Sequence, residues 1–128
     1  MDIESLNQET SSFVERPWGH YHKLFQEPGV WVKRVQVNPG ARLSLQSHKS
    51  RSEKWIIVSG HGYAEVNGEE TVLNPGVVVD IPVNAVHRIG NTGDKKLVFI
   101  EVATGPHLSE ADITRLEDDY KRTPPVEK

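Results

Sequence analysis

The chain has 128 residues, with 15 basic and 18 acidic side chains, a formal net charge of −3 and no cysteine. That length suits one ordinary domain that can bury a core unaided, and the missing thiols exclude disulfide frameworks, thiol catalysis, iron–sulfur clusters and thiolate-bound zinc. The isoelectric point near 6.1 and the lack of a basic stripe argue against nucleic acid as a partner. No apolar run approaches the roughly eighteen residues of a membrane span, and the start MDIESLNQETSS is unlike a signal peptide, so a cytoplasmic protein without membrane association is expected.

In chain order, residues 1–14 form a polar arm with no sustained periodicity. Residues 15–103 carry the signals of a β core: VWVKRVQV, ARLSLQSH and EKWIIVSG are short strand segments, the first two separated by a Pro39-Gly40 turn. In AEVNGEETVL the Asn67-Gly68 pair predicts a two-residue type I′ hairpin, because that turn demands positive φ at both central positions. Pro75-Gly76 precedes GVVVDIP, and a turn at Asn91 to Gly93 separates AVHRIGN from KKLVFIEVA. About eight such strands predict an all-β sandwich, jelly roll or small barrel. One C-terminal α-helix is expected over 108–122, capped by Ser109, with Ile113, Leu116 and Tyr120 at helical spacing and Thr123-Pro124-Pro125 as the stop before a tail at 123–128.

Of the six histidines, His48 and His87 keep the most informative company. Gln46 and His48 leave one face of a strand, Glu53 opens the next strand, and His87 can join from a separate segment. Two imidazoles, a carboxylate and an amide oxygen would hold one divalent transition metal: zinc or manganese foremost, with iron, cobalt and nickel also open.

The order of these residues resembles a known superfamily. Gly40-x5-Gln46-x-His48-x4-Glu53-x6-Gly60 resembles the first cupin motif, with Gln46 where many cupins carry a histidine. Gly76-x5-Pro82-x-Asn84-x2-His87-x3-Asn91 resembles the second, departing at Asn84, where glycine is usual. The flanks Arg16-Pro17-Trp18-Gly19, Val32-Lys33-Arg34-Val35, Arg51-x-Glu53-x-Trp55, His87-Arg88 and Ile100-Glu101-Val102 are similar to the type II mannose-6-phosphate isomerase family, over Arg16 to Arg122. The resemblance implies a single cupin domain, a double-stranded β-helix or jelly roll, that holds its metal on Gln46, His48, Glu53 and His87. It further implies interconversion of mannose 6-phosphate and fructose 6-phosphate through an enediolate. The family often fuses this module behind a mannose-1-phosphate guanylyltransferase domain, for which 128 residues leave no room. Ser50 and Lys54 depart from the family's usual His-x-His-Arg-x-Glu-His-Trp, and Ala103 stands where glutamine is common. Two other readings therefore accompany the isomerase: a sugar- or metal-binding cupin without turnover, and a cupin dioxygenase.

Strand parity supplies the remaining candidates. Arg51 shares the face of Glu53, and Lys33 shares the apolar face of Trp31, Val35 and Val37, so both are candidates for substrate phosphate and for catalysis. Arg88, of opposite parity to His87, is a further phosphate candidate, and Trp18 a candidate sugar contact. His61, at a strand end, and Glu101, in the apolar run LVFIEVA, are the candidate proton carriers. Ile56 and Val58 face away from Trp55 and Ile57, which leaves an apolar outer sheet face and makes a homodimer the expected assembly.

Overall fold

The alternating valine- and aromatic-rich segments pair into β strands in a computed structural model that describes residues 12–122. The greater part of the expected arm (residues 1–11) and the tail at 123–128 lie outside the described residues. Eleven strands follow in order: β1 Ser12–Arg16, β2 Gly19–Glu27, β3 Val30–Val37, β4 Leu45–Ser47, β5 Ser52–Ser59, β6 Gly62–Val66, β7 Glu69–Leu73, β8 Val78–Ile81, β9 His87–Asn91, β10 Leu97–Thr104 and β11 Thr114–Glu117. The eight expected strands correspond to β3 through β10. The end of the expected arm, from Ser12, is itself a strand, paired with β2.

One sheet has six strands in the order β1-β2-β3-β10-β5-β8, the other five in the order β11-β4-β9-β6-β7, and the pairings are antiparallel. Non-consecutive neighbours such as β3 with β10 and β4 with β9 bring distant segments side by side, so residues far apart in sequence can share one interior. Strand parity decides which side chains enter it. On β5, Glu53, Trp55 and Ile57 are buried while Lys54, Ile56 and Val58 are exposed, as a period of two requires. Val35, Val37, Trp55, Ile57 and Phe99 from the first sheet meet Ala64, Leu73 and Ile89 from the second in the core. Asn67 and Gly68 have φ of 50° and 85°, the two positive values of the expected hairpin between β6 and β7. Among the described residues no helix is long and apolar enough to cross a membrane.

The expected C-terminal helix over 108–122 does not form. Ser109 to Asp112 is a turn closed by the Asp112 amide donating to the Ser109 carbonyl at 3.1 Å, and Thr114 to Glu117 then adds β11 to the edge of β4. The helical spacing of Ile113, Leu116 and Tyr120 is overridden by tertiary partners. The Asp112 carboxylate accepts the backbone amides of Lys49 and Ser50, each at 2.9 Å, its carbonyl accepts His48 Nδ1 at 2.7 Å, and the Ser109 carbonyl accepts Arg51 Nη1 at 2.9 Å. A helix of this length is marginal in water without a packed face, whereas the open edge of β4 offers unpaired backbone groups. Gly105 lets the connecting chain lie against this loop, since a Cβ there would sit 2.0 Å from the Ser50 carbonyl oxygen.

These contacts predict that Asp112→Ala lowers stability by about 2 kcal/mol, the worth of hydrogen bonds to a charged acceptor, read by urea denaturation. A helical segment would instead gain slightly from alanine, so a stabilising Asp112→Ala contradicts the strand-and-turn arrangement.

Candidate functional site

Three of the four expected ligands come together by strand pairing alone. His48 follows the end of β4, Glu53 opens β5 and His87 opens β9, and Gln46 stands directly opposite His87 across the β4–β9 pair. One ligand-type atom from each of His48, Glu53 and His87 lies within 4.8 Å of the others. His48 Nε2 and Glu53 Oε2 are 3.4 Å apart, and the two imidazole rings are 5.0 Å apart. All three residues are buried. The backbone holds the set together: the Asn84 amide donates to the His48 carbonyl at 2.8 Å. Asn84 has φ of 67°, a left-handed value that asparagine tolerates better than most residues, so its replacement of the usual glycine preserves this turn.

The hydrogen bonds fix the imidazole tautomers. His48 Nδ1 donates to the Asp112 carbonyl and His87 Nδ1 to the Ala85 carbonyl at 2.8 Å, which leaves an Nε2 lone pair on each ring. Burial pushes the His48 pKa down to about 4, and burial likewise lowers that of His87. Burial alone would raise Glu53, but the nearby His48, Arg51 and His87 outweigh it and hold its carboxyl below the ordinary value. Gln46 Nε2 donates to Ser44 Oγ at 2.9 Å, so its carbonyl oxygen is the amide atom left for a ligand. Neutral imidazoles, an ionised carboxylate and an amide oxygen fit a divalent cation.

A cavity adjoins this cluster, and Gln46, Glu53, His87, Trp18, Lys33, Arg51, Arg88 and Glu101 are among its walls. Lys33 is buried, ion-paired with Glu110 at 2.5 Å and stacked over Tyr21 and Trp31 at 4.1 and 4.2 Å. Arg51 spends its guanidinium on three acceptors: Glu53 Oε2 at 2.8 Å, the Ser109 carbonyl and His48 Nε2 at 3.2 Å. Glu101 accepts Trp31 Nε1 at 2.8 Å. Burial first, then the charge of Glu53, raises its pKa to about 7, against the smaller pull of Lys33. Arg88 is buried despite its opposite parity to His87, with Nε on the Leu43 carbonyl at 3.1 Å and Nη1 on Glu117 at 3.1 Å. Trp18 is buried.

His61 is not in the site. It is exposed, its Nδ1 paired with Asn74 Oδ1 at 2.8 Å, and it is absent from the cavity wall, because the connection after β5 carries it away from the end where β4, β5 and β9 converge. Neither Ser50 nor Lys54 lines the cavity; Lys54 is exposed and pairs with Asp80 at 2.6 Å. Sequence reasoning missed four charged cavity residues, Arg16, Glu110, Arg115 and Arg122. Three of these lie in or beside the misassigned helix. Only the unpaired charge of Lys33, an ammonium on an apolar strand face, signalled that an acid such as Glu110 was needed.

The family profile described as mannose-6-phosphate isomerase C-terminal matches residues 4–118. The alginate biosynthesis protein AlgA of Pseudomonas aeruginosa is 44% identical, over 86% of this chain and 23% of its own length. The chain spans about a quarter of the length of the curated relatives it matches. The capsular polysaccharide assembling protein CapF of Staphylococcus aureus superposes with a TM-score of 0.73 and 25% identity, over 84% of this chain and 34% of that one. A cupin-2 domain protein of Rhodospirillum rubrum superposes with a TM-score of 0.66 and 22% identity, over 80% of this chain and 78% of that one, so the fold is a cupin fold.

Two outcomes follow from the site. Zinc or manganese titrated into chelator-treated protein is expected to bind once per chain, and His48→Ala or Glu53→Gln to weaken that binding by at least tenfold by calorimetry. The raised pKa of Glu101 has a definite sign. Between its ordinary value of 4.5 and about 7 the folded protein holds the proton more tightly than the unfolded chain, so rising pH costs stability until about 7. His48 and His87, with lowered values, act in the opposite direction. The metal-free Glu101→Gln variant therefore isolates the acid: its stability advantage over the parent protein should grow from pH 4.5 to 7 and then level off, measured by denaturant titration at several pH values.

Proposed function

Because the chain belongs to the mannose-6-phosphate isomerase C-terminal family, we propose that it is a metal-dependent aldose–ketose isomerase that interconverts mannose 6-phosphate and fructose 6-phosphate. The observation that carries this reading is a buried His-Glu-His cluster that adjoins one cavity, with Gln46, Glu53, His87 and the buried carboxyl of Glu101 on the cavity wall. Gln46, His48, Glu53 and His87 would hold a divalent ion, zinc or manganese foremost, and the ion would supply Lewis-acid stabilisation of negative charge on the substrate's C1 and C2 oxygens.

The chain's own residues supply the rest. Aldose–ketose interconversion moves a proton between adjacent carbons, so one group must accept it from the first and return it to the second. Glu101 fits that task, because a carboxyl near pH 7 is populated in both forms. Trp31 Nε1 fixes Glu101 Oε2, which leaves the other oxygen for the proton. Lys33, paired with Glu101 in the β3–β10 register, balances charge on that acid. Arg51 is a positioning residue: it holds Glu53 and His48 in one arrangement. Trp18 and Trp55 supply apolar wall to the cavity. The departures at Ser50 and Lys54 lie off the cavity, so the site keeps its chemistry. The exposed Ile56, Val58 and Val78 on the outer face of the larger sheet support a homodimer.

A coupled assay of metal-loaded protein with mannose 6-phosphate should show formation of fructose 6-phosphate. Glu101→Gln should lower kcat by roughly 10²- to 10⁴-fold, the range for a lost general acid–base group, with KM little changed, and His61→Ala should leave both as they are. Sugar phosphate binding without turnover would replace the isomerase by a non-catalytic sugar-binding cupin. Oxygen uptake with an unphosphorylated substrate would replace it by a dioxygenase.

A further inference from the structure

The cavity wall also carries arginines that take no part in the His-Glu-His cluster. Arg16, Arg88, Arg115 and Arg122 are among them. Two carboxylates answer them: Glu117 takes Arg88 Nη1 at 3.1 Å and Asp118 takes Arg122 Nε at 2.8 Å. Among the described residues, the arginines of this wall outnumber the acids ion-paired with them.

Hydrogen bonding shows the same deficit independently. Arg88 Nη2 and Arg115 Nε are buried donors with no partner among the described residues, and the Arg88 side chain is only 5% exposed. An unmet buried donor is costly, more so when it is charged, so two on one cavity wall call for an acceptor. Arg51 and Lys33 are different, since each already spends its donors on Glu53, Ser109 and His48 or on Glu110. Arg115 also has a lowered pKa, from burial first and then from Arg122, with Arg16 adding to it, as expected of a cation crowded by its own kind.

Strand register fixes the distance between the two regions. Arg115 on β11 stands opposite Gln46 on β4, and Gln46 stands opposite His87 on β9, so the three side chains leave one sheet face in a row. Two strand spacings separate Arg115 from His87, roughly 10 Å between backbones, a span comparable to a six-carbon chain that carries a terminal phosphate.

We propose that Arg115, with Arg16, Arg88 and Arg122, is the subsite for the phosphate of the substrate, a phosphomonoester dianion, and that Arg51 and Lys33, already engaged with acceptors of their own, are not. This rests on the sugar-phosphate reading above and assigns its anchor. Guanidinium forks match phosphate oxygens bidentately, and the anion would meet both unpartnered donors.

The test uses the full chain, stripped of metal by chelator so that the anion cannot register at the cation cluster, with inorganic phosphate as the probe in calorimetry. Saturable binding is expected, weakened at least tenfold in Arg115→Gln and partly restored in Arg115→Lys. Arg16→Gln, at an exposed position, should weaken it severalfold and guards against a folding defect at Arg115. In the metal-loaded protein, Arg115→Gln should raise KM for mannose 6-phosphate with a smaller change in kcat. Unchanged phosphate affinity in both Arg115→Gln and Arg16→Gln, or no saturable binding to the parent protein, overturns the subsite even if turnover is normal. Phosphate binding lost in the variants while the parent protein shows no isomerase activity leaves the subsite standing and removes only the isomerase.

Discussion

A single buried carboxylate organises the interior of this protein. Glu53 is 4% exposed, and an isolated charge at such depth costs several kcal/mol. It is tolerated because both of its oxygens are answered: Oε2 by Arg51 Nε at 2.8 Å and Oε1 by Trp55 Nε1 at 2.9 Å. The requirement then propagates. Arg51, buried in turn, needs a further acceptor and takes the Ser109 carbonyl, which draws the C-terminal segment across the mouth of the cavity. The charge of Glu53 also helps raise Glu101 towards neutrality. One acid thus links the candidate metal ligands, the candidate proton carrier and the path of the last strand.

Much of this was legible in the sequence, because a strand's period of two leaves little freedom. Lys33 alternates with Trp31, Val35 and Val37, and Glu53 with Trp55 and Ile57, and all of them enter the interior. The Asn67-Gly68 turn follows from its φ demands alone. What parity could not reach was Arg88. Its position predicts a side chain facing away from His87, yet a long guanidinium stem can run along the sheet to the Leu43 carbonyl and bring its tip to the cavity.

The C-terminal segment was illegible for a different reason. Its local signals, a serine cap, apolar residues at helical spacing and a proline stop, agree with one another and describe a helix. Their sum is small, since propensity and capping contribute fractions of a kcal/mol to about 1 kcal/mol each. Against them stand contacts with partners more than fifty residues away in sequence: Asp112 with Lys49 and Ser50, Ser109 with Arg51, and Arg115 across from Gln46. No local window contains both sides of those pairs. The same misreading concealed Arg115, which on a helix would be one more solvated cation and on β11 stands in register with Gln46.

The two ends of the cavity differ in electrostatic character, and that difference suits a bifunctional ligand. Near Glu53 and Glu101 each acid has a cation beside it, Arg51 or Lys33, and each cation has its own acceptors. What that side leaves open are acceptors, the imidazole lone pairs and the Gln46 carbonyl oxygen, which suit a bound cation. The arginine end has donors to spare. A neutral sugar would satisfy neither region fully, and an anion without a polyol chain would reach only one. A molecule with adjacent oxygens at one end and a dianion at the other meets the chemistry of both, and the fixed register of β11, β4 and β9 holds those two demands at a constant separation.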